Sequence, residues 1–313
     1  MQRGPVIESI HRGRAGVCDP DGTVLDSAGD PEGYTYVRSS AKPFQALPLL
    51  LSGAAEALGL TDEEIAITCA SHSGEDRHLS RVRSLLDKAG LSEENLQSGP
   101  HPPFYAPAAA RLARSGESPD PIHGNCSGKH AGMLALCAYE GWSLRDCRQL
   151  DHPVQRRILE IVAEICGVKQ DEVLLGGDGC GVPSFAMPLR GLATGFARLA
   201  TGEGLSARLT DACGRIREAM RANPCLVAGT GRFDTKLMEG TDLVVKGGAE
   251  GVLACGSPEG WGMALKVSDG SSRAVRPAVL AILARQGVEL SLAEVSELRD
   301  LHGEVVGEIL PLG

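Results

Sequence analysis

Segments with strand character occur at the two ends of this chain, and the long stretch between them reads mostly as helix. At the start, Val6 to Val17 is strand-like, Asp21-Gly22 supplies a turn, and Thr23-Val24-Leu25 begins the return. Tyr34-Thr35-Tyr36-Val37 is a further short β-prone run. At the other end, Asp242–Lys246, Gly251–Cys255 and Gly262–Val267 are three strand candidates joined by Gly-rich turns. Two separated β parts make one antiparallel sheet only if the chain ends meet in space. The helical middle is then an insertion that flanks the sheet. The expected architecture is therefore α/β of the α+β type, with one unit across 1–313, β parts near 1–40 and 240–313, and a mostly helical part near 41–239.

The helical reading follows the spacing of apolar residues. From Ser39, a natural N-cap, Phe44, Leu47, Leu51, Ala55 and Leu58 recur at helical intervals until Gly59. Thr61-Asp62-Glu63-Glu64 opens another helix, and Ile65–Ala70 is apolar enough for strand or buried helix. Glu75–Ala89, Gly128–Tyr139, Pro153–Cys166, Ser184–Thr201, Leu205–Ala222, Ala274–Arg285 and Leu292–Leu301 read as helices, with a short strand at Glu172–Leu175. Ser98–Pro121, rich in Pro, Gly and Ser, reads as a long ordered loop.

Composition removes several functions. The net charge is -9 with no basic run, which argues against nucleic acid or an acidic membrane as partner. The ten Cys are evenly spread and lack the density of a secreted disulfide scaffold, and no apolar stretch is long enough to span a bilayer. A reducing cytoplasm is the expected location, with most thiols buried.

The basic residues are unevenly chosen: 24 are Arg and seven are Lys. Arg does not give up its proton in a protein, whereas a desolvated Lys does. Three of the seven Lys sit in chemically suggestive strings. In Ser39-Ser40-Ala41-Lys42, a hydroxyl at a helix start meets an amine three residues on, the pattern of Ser-Lys acyl transfer. Alone, it reads rather as an N-cap with a solvated Lys. Lys246-Gly247-Gly248 ends an apolar run, where glycines let a substrate come close. Alone, it is a strand end with a bulge. Ala70-Ser71-His72-Ser73-Gly74-Glu75 lies in a loop before a helix and is either a capping loop or a proton relay, with Ser71 passing protons to Lys246. Cys126-Ser127-Gly128-Lys129-His130 and Gly179-Cys180-Gly181 place two thiols on Gly-bearing loops, which suits either buried cysteines or a soft metal, with His123 and His130 as more usual nitrogen ligands than Lys. Gly177-x-Gly179-x-Gly181 lacks the βαβ context of a dinucleotide site.

In order and wording these strings resemble the thermolabile, Rhizobium-type L-asparaginase family. The match runs through Arg38–Gln45, Ala70–Glu75, Asn125–His130, Asp178–Pro183 and Lys246–Gly248. The resemblance implies a serine β-lactamase- and glutaminase-like fold, a homodimer and hydrolysis of asparagine to aspartate and ammonia. By matching position it implies Ser39 with Lys42 and Ser71 with Lys246 as paired Ser-Lys dyads. Cys126, Lys129 and Cys180 match the zinc ligands, with zinc in a supporting role. Arg38, His130 and Asp178 match positions near substrate. The sequence lacks Ser-Asp-Asn and has Lys-Gly-Gly for Lys-Thr-Gly, unlike penicillin-binding enzymes.

The resulting expectation is that Arg38 holds the substrate carboxylate and Asp178 its amine. Ser39 attacks with Lys42 as base, Ser71 and Lys246 deliver the proton to ammonia, and backbone N–H groups at Ser39 and after Lys246 hold the oxyanion. A glutaminase, another small-amide or β-lactam hydrolase, and a zinc-binding protein without chemistry remain as alternatives.

Overall fold

The computed structural model describes residues 1–288, 290 and 296–311. The two ends of the chain do meet. Strands β3 (Gly13–Cys18) and β4 (Val24–Ala28) join β8 (Val244–Gly248), β9 (Val252–Ser257) and β10 (Trp261–Val267) in one antiparallel sheet of order β4-β3-β10-β9-β8. The seam is the β3–β10 pair, in register from Gly13 opposite Val267 to Cys18 opposite Gly262. The β3–β4 turn closes where the Thr23 N–H donates to Asp19 Oδ1 at 2.8 Å.

Helices cover both faces of this sheet. On one face the helix Leu189–Thr201 lies almost against the strands. A Cβ on Gly256 would sit 2.0 Å from the Phe196 carbonyl oxygen, and one on Gly262 would sit 2.1 Å from that of Ala193. Glycine at those two positions is what allows the close approach. On the other face Leu265 and Val267 of β10 line one cavity with Ala274 and Pro277 of the helix Ser272–Arg285, the two strand residues sharing a face by alternation. The remaining helices, among them Lys42–Leu51, Asp62–Thr68, Ser127–Glu140, Pro153–Cys166 and Ala207–Ala222, pack beside the sheet around a continuous apolar core.

Several expectations are corrected. Val6–Val17 is not one strand: β2 (Val6–Ile7) pairs with β1 (Gln2–Arg3) in a small outer sheet with β11 (Glu297–Arg299) and β12 (Val305–Glu308). The expected helix Leu292–Leu301 has its start, 292–295, outside the described residues, and Glu297–Arg299 is strand. The helix expected over Ser184–Thr201 begins only at Leu189, because Pro183–Pro188 is strand β7. It lies between β5 (Tyr34–Tyr36) and β6 (Leu174–Gly177), so the middle of the chain carries a third sheet. The loop expected over Ser98–Pro121 contains the helix Ala106–Ser115, with Pro107 in its first turn.

Candidate active site

The site begins where the third sheet hands the chain to the first helix. The Val37 N–H donates to the Phe185 carbonyl at 2.9 Å, which ties the end of β5 to β7. The next residue, Arg38, has φ of 51°, a left-handed conformation that costs a non-glycine residue on the order of 1 kcal/mol or more. It turns the backbone into a 3-10 segment, Arg38–Ala41, followed by the helix Lys42–Leu51 with Pro43 in its first turn. Ser39 is therefore inside a tight turn and makes no capping bond, contrary to the N-cap expected. Its hydroxyl has no hydrogen-bond partner among the described residues and faces a cavity of about 380 Å³.

Lys42 is completely buried. Its Nζ donates to the Ala70 carbonyl at 2.6 Å, to Ser71 Oγ at 2.9 Å and to the Asn125 carbonyl at 3.4 Å. Burial pushes its pKa below the usual lysine value, a nearby Cys126 thiolate opposes this, and Lys129 adds to the lowering. Desolvating an ammonium costs several kcal/mol, so a buried amine is stable only with its acceptors collected around it.

The hydrogen-bonded pairs are not the expected ones. Lys42 is bonded to Ser71 and not to Ser39. Lys246 is bonded to the Gly247 carbonyl at 2.6 Å and not to Ser71. The need of Lys42 for several acceptors explains the exchange, because Ala70, Ser71 and Asn125 lie together. Even so, Ser39, Ser71 and Lys246 all line the same cavity, with Lys42 directly beneath Ser71. Lys246 lies within β8 and is buried, not turned to solvent. Burial lowers its pKa to about 8, against Asp234, which raises it, and with Lys42, which lowers it further.

Asp234, at the start of the helix Phe233–Gly240, carried no signal in the sequence reading. Its Oδ2 accepts the Gly247 N–H at 2.7 Å and lies 3.8 Å from Lys246 Nζ. A Cβ on Gly247 would approach Asp234 Oδ1 to 2.9 Å, so glycine here makes room for the carboxylate. Of the N–H groups after Lys246 expected to hold the oxyanion, that of Gly247 is committed to Asp234.

A second cluster lies on the far side of Lys42. Ligand atoms of Cys126, Asp178 and Cys180 are all within 4.8 Å of one another, and Lys129 Nζ donates to Cys180 Sγ at 3.0 Å. A hydrogen bond from Cys180 holds the Cys126 thiol well below its ordinary pKa, helped by Lys42 and Lys129 and opposed by burial. Cys180 is raised by that same bond and by burial. The helix start that carries Cys126 and Lys129 is seated on the end of Asp62–Thr68, where a Cβ on Gly128 would lie 2.1 Å from the Ile67 carbonyl oxygen. Burial pushes the Asp178 carboxyl up, but Lys129, the Gly179 N–H and Arg38 together hold it below the usual range.

The three residues expected near substrate do not line the cavity. Arg38 and Asp178 are bonded to each other, at 3.0 Å from Nη2 and 3.1 Å from Nε to Oδ1. His130 is fully buried with neither ring nitrogen partnered among the described residues, and burial followed by Lys129 keeps it neutral.

The loop Ser71–Glu75 serves two purposes. Ser71 faces the cavity, while Ser73 and Glu75 pin the loop to residues 228–230. Ser73 Oγ donates to the Ala228 carbonyl at 2.8 Å, and Glu75 accepts Thr230 N–H and Oγ–H, each at 2.7 Å. His72 accepts the Gly74 N–H at Nδ1 (3.2 Å), so its Nε2–H donates to Ser127 Oγ at 2.8 Å. His72→Ala leaves two buried polar groups unpaired and lowers stability by about 3 kcal/mol. The expected readout is a lower urea midpoint. Lost turnover with an unmoved midpoint would instead place His72 in the chemistry.

Comparison with known proteins gives a family and a fold. The family model for L-asparaginase II matches residues 1–310. No match is found among curated proteins. Among solved structures, Mglu in its native form is 15% identical with a TM-score of 0.53, over 90% of this chain and 65% of that one. Mglu in its glutamate form is 14% identical with a TM-score of 0.52, over 90% and 62%. The chain thus spans somewhat less than two thirds of the length of Mglu and shares its fold. A β-lactamase from Mycobacterium bovis is 13% identical with a TM-score of 0.44, over 88% of this chain and 95% of that one. No helix among the described residues is long and apolar enough to cross a membrane.

Proposed function

The chain belongs to the L-asparaginase II family, and on that premise we propose that it hydrolyses L-asparagine to L-aspartate and ammonia through an acyl-serine intermediate. The observation that carries the reading is the buried Lys42 amine bonded to Ser71 Oγ under a cavity that also holds Ser39 and Lys246. Ser39 is the nucleophile: its hydroxyl has no competing partner, and the strained Arg38 turn presents it to the cavity. Lys42, whose pKa burial lowers, is the base for Ser39, reached through Ser71 Oγ, to which it is bonded. Ser71, with Lys246, passes the proton to the departing ammonia. The Ser39 N–H remains as an oxyanion donor. Water then cleaves the β-aspartyl ester by the reverse route.

The reading is tested by ammonia release from asparagine and glutamine in parallel. Turnover of asparagine that exceeds that of glutamine supports it. Preference for glutamine transfers the same chemistry to a glutaminase, and turnover of neither removes the hydrolase reading.

The donor set of two close thiols, a carboxylate and a lysine suits a thiophilic divalent ion, and zinc is the ion proposed. Cys126 and Cys180 would hold it, with Lys129 after loss of its proton and Asp178 beside them. There zinc would supply a fixed positive charge that shapes the wall behind Lys42. Protein prepared without chelator should carry about one zinc per chain, and Cys180→Ser none. Wild-type protein free of zinc contradicts the assignment.

A further inference from the structure

With Arg38 tied to Asp178, the cavity needs another cation for an acidic substrate. Two arginines line it: Arg232, just before the helix Phe233–Gly240, and Arg276, in the helix Ser272–Arg285. Most arginines of this chain are paired with a carboxylate or a backbone carbonyl. Neither of these two has such a partner among the described residues, although both are exposed at a cavity that contains Asp234 and Glu250. Asp234 is occupied by Gly247 and Lys246. The Arg276 guanidinium carbon stands 5.7 Å from the centroid of the Phe233 ring, itself buried in the cavity wall. Stacking of this kind steadies a guanidinium and leaves its N–H edge open for a planar anion. Arg232 lies near enough to Lys246 to depress its pKa, which puts a second positive charge on the same side.

We propose that Arg276, supported by Arg232, holds the α-carboxylate of the substrate, so that the cavity selects side-chain amides of acidic or zwitterionic compounds over neutral and cationic amides. This rests on the amidohydrolase reading and specifies where that site grips its substrate. Arg38 then has a different task, to hold the turn before Ser39 against Asp178.

The test uses three substrates on wild type, Arg276→Ala and Arg232→Ala: asparagine, succinamic acid, which lacks the α-amine, and 3-aminopropanamide, which lacks the α-carboxylate. Arg276→Ala should lower kcat/KM roughly tenfold to a hundredfold on the two carboxylate-bearing substrates, chiefly through KM. Its effect on 3-aminopropanamide should be at least tenfold smaller. Arg276→Lys should restore part of the loss. An equal loss on all three substrates, or no loss on any, overturns the proposal. Calorimetric binding of L-aspartate separates this outcome from failure of the amidohydrolase reading, since it needs no turnover. Arg276→Ala should weaken binding by the same tenfold to hundredfold, and unchanged binding contradicts the anchor even if no amide is cleaved.

Discussion

Replacement of Lys42 by Met lowers kcat by roughly a thousandfold or more, while the protein stays folded. Met matches the length of the stem, so the core beneath Ser71 remains filled. What is lost is the amine that touches Ser71 Oγ at 2.9 Å and through it takes the proton from Ser39. The Ala70 and Asn125 carbonyls lose a donor with it, so the melting temperature falls somewhat while the fold is kept. The checks are steady-state kinetics and a thermal melt on the same preparation. A variant that melts near wild type and keeps more than a tenth of the activity shows that Lys42 is structural. A variant that fails to fold transfers the question to Lys42→Arg, which keeps the charge but cannot give it up.

The second large effect is on pH. Lys246 is neutral above about 8 and charged below it. Lys42 and Lys246 share one site, and each ammonium makes the other harder to form. The working state lacks at least one of the two protons. As the pH falls, the second amine takes up its proton and the base is lost. The rate should therefore drop tenfold per unit on the acid side, with a midpoint no higher than about 8. Asp234 helps Lys246 keep its proton, and Asp234→Asn removes that charge while an amide oxygen can still accept the Gly247 N–H. The acid limb should then move to lower pH. A rate unchanged from pH 6 to 9, or a limb that moves upward in Asp234→Asn, contradicts the lysine chemistry.

Much of this was readable in the chain because short-range signals and the global fold agree. The turn at Asp21-Gly22, the apolar runs of β8 to β10 and the helix start at Thr61–Glu64 are local features that survive in the structure. The strings around Ser39, Ser71 and Lys246 do converge on one cavity. Long-range partners were not readable. Pro183–Pro188 carried its own warning, Pro188 inside the expected helix, and pairing on both sides, with Leu174–Gly177 and with the distant Tyr34–Tyr36, makes it a strand. The pairing of Lys42 with Ser71 depends on three acceptors from two separate loops. Three-residue spacing suggested Ser39 instead, since it registers which residues share a turn and not where a buried amine finds its acceptors. Asp234 had no motif. Its one trace was Gly247, whose missing side chain leaves room for the carboxylate.

That a serine at the Arg38 turn carries the acyl group is tested most directly by covalent capture. Incubation with a diazo-ketone analogue of asparagine, followed by digestion and mass spectrometry, should find one adduct, on Ser39, and none in Ser39→Ala. An adduct on Cys126 or on a threonine, or an unmodified chain in a preparation that turns over asparagine, contradicts the account.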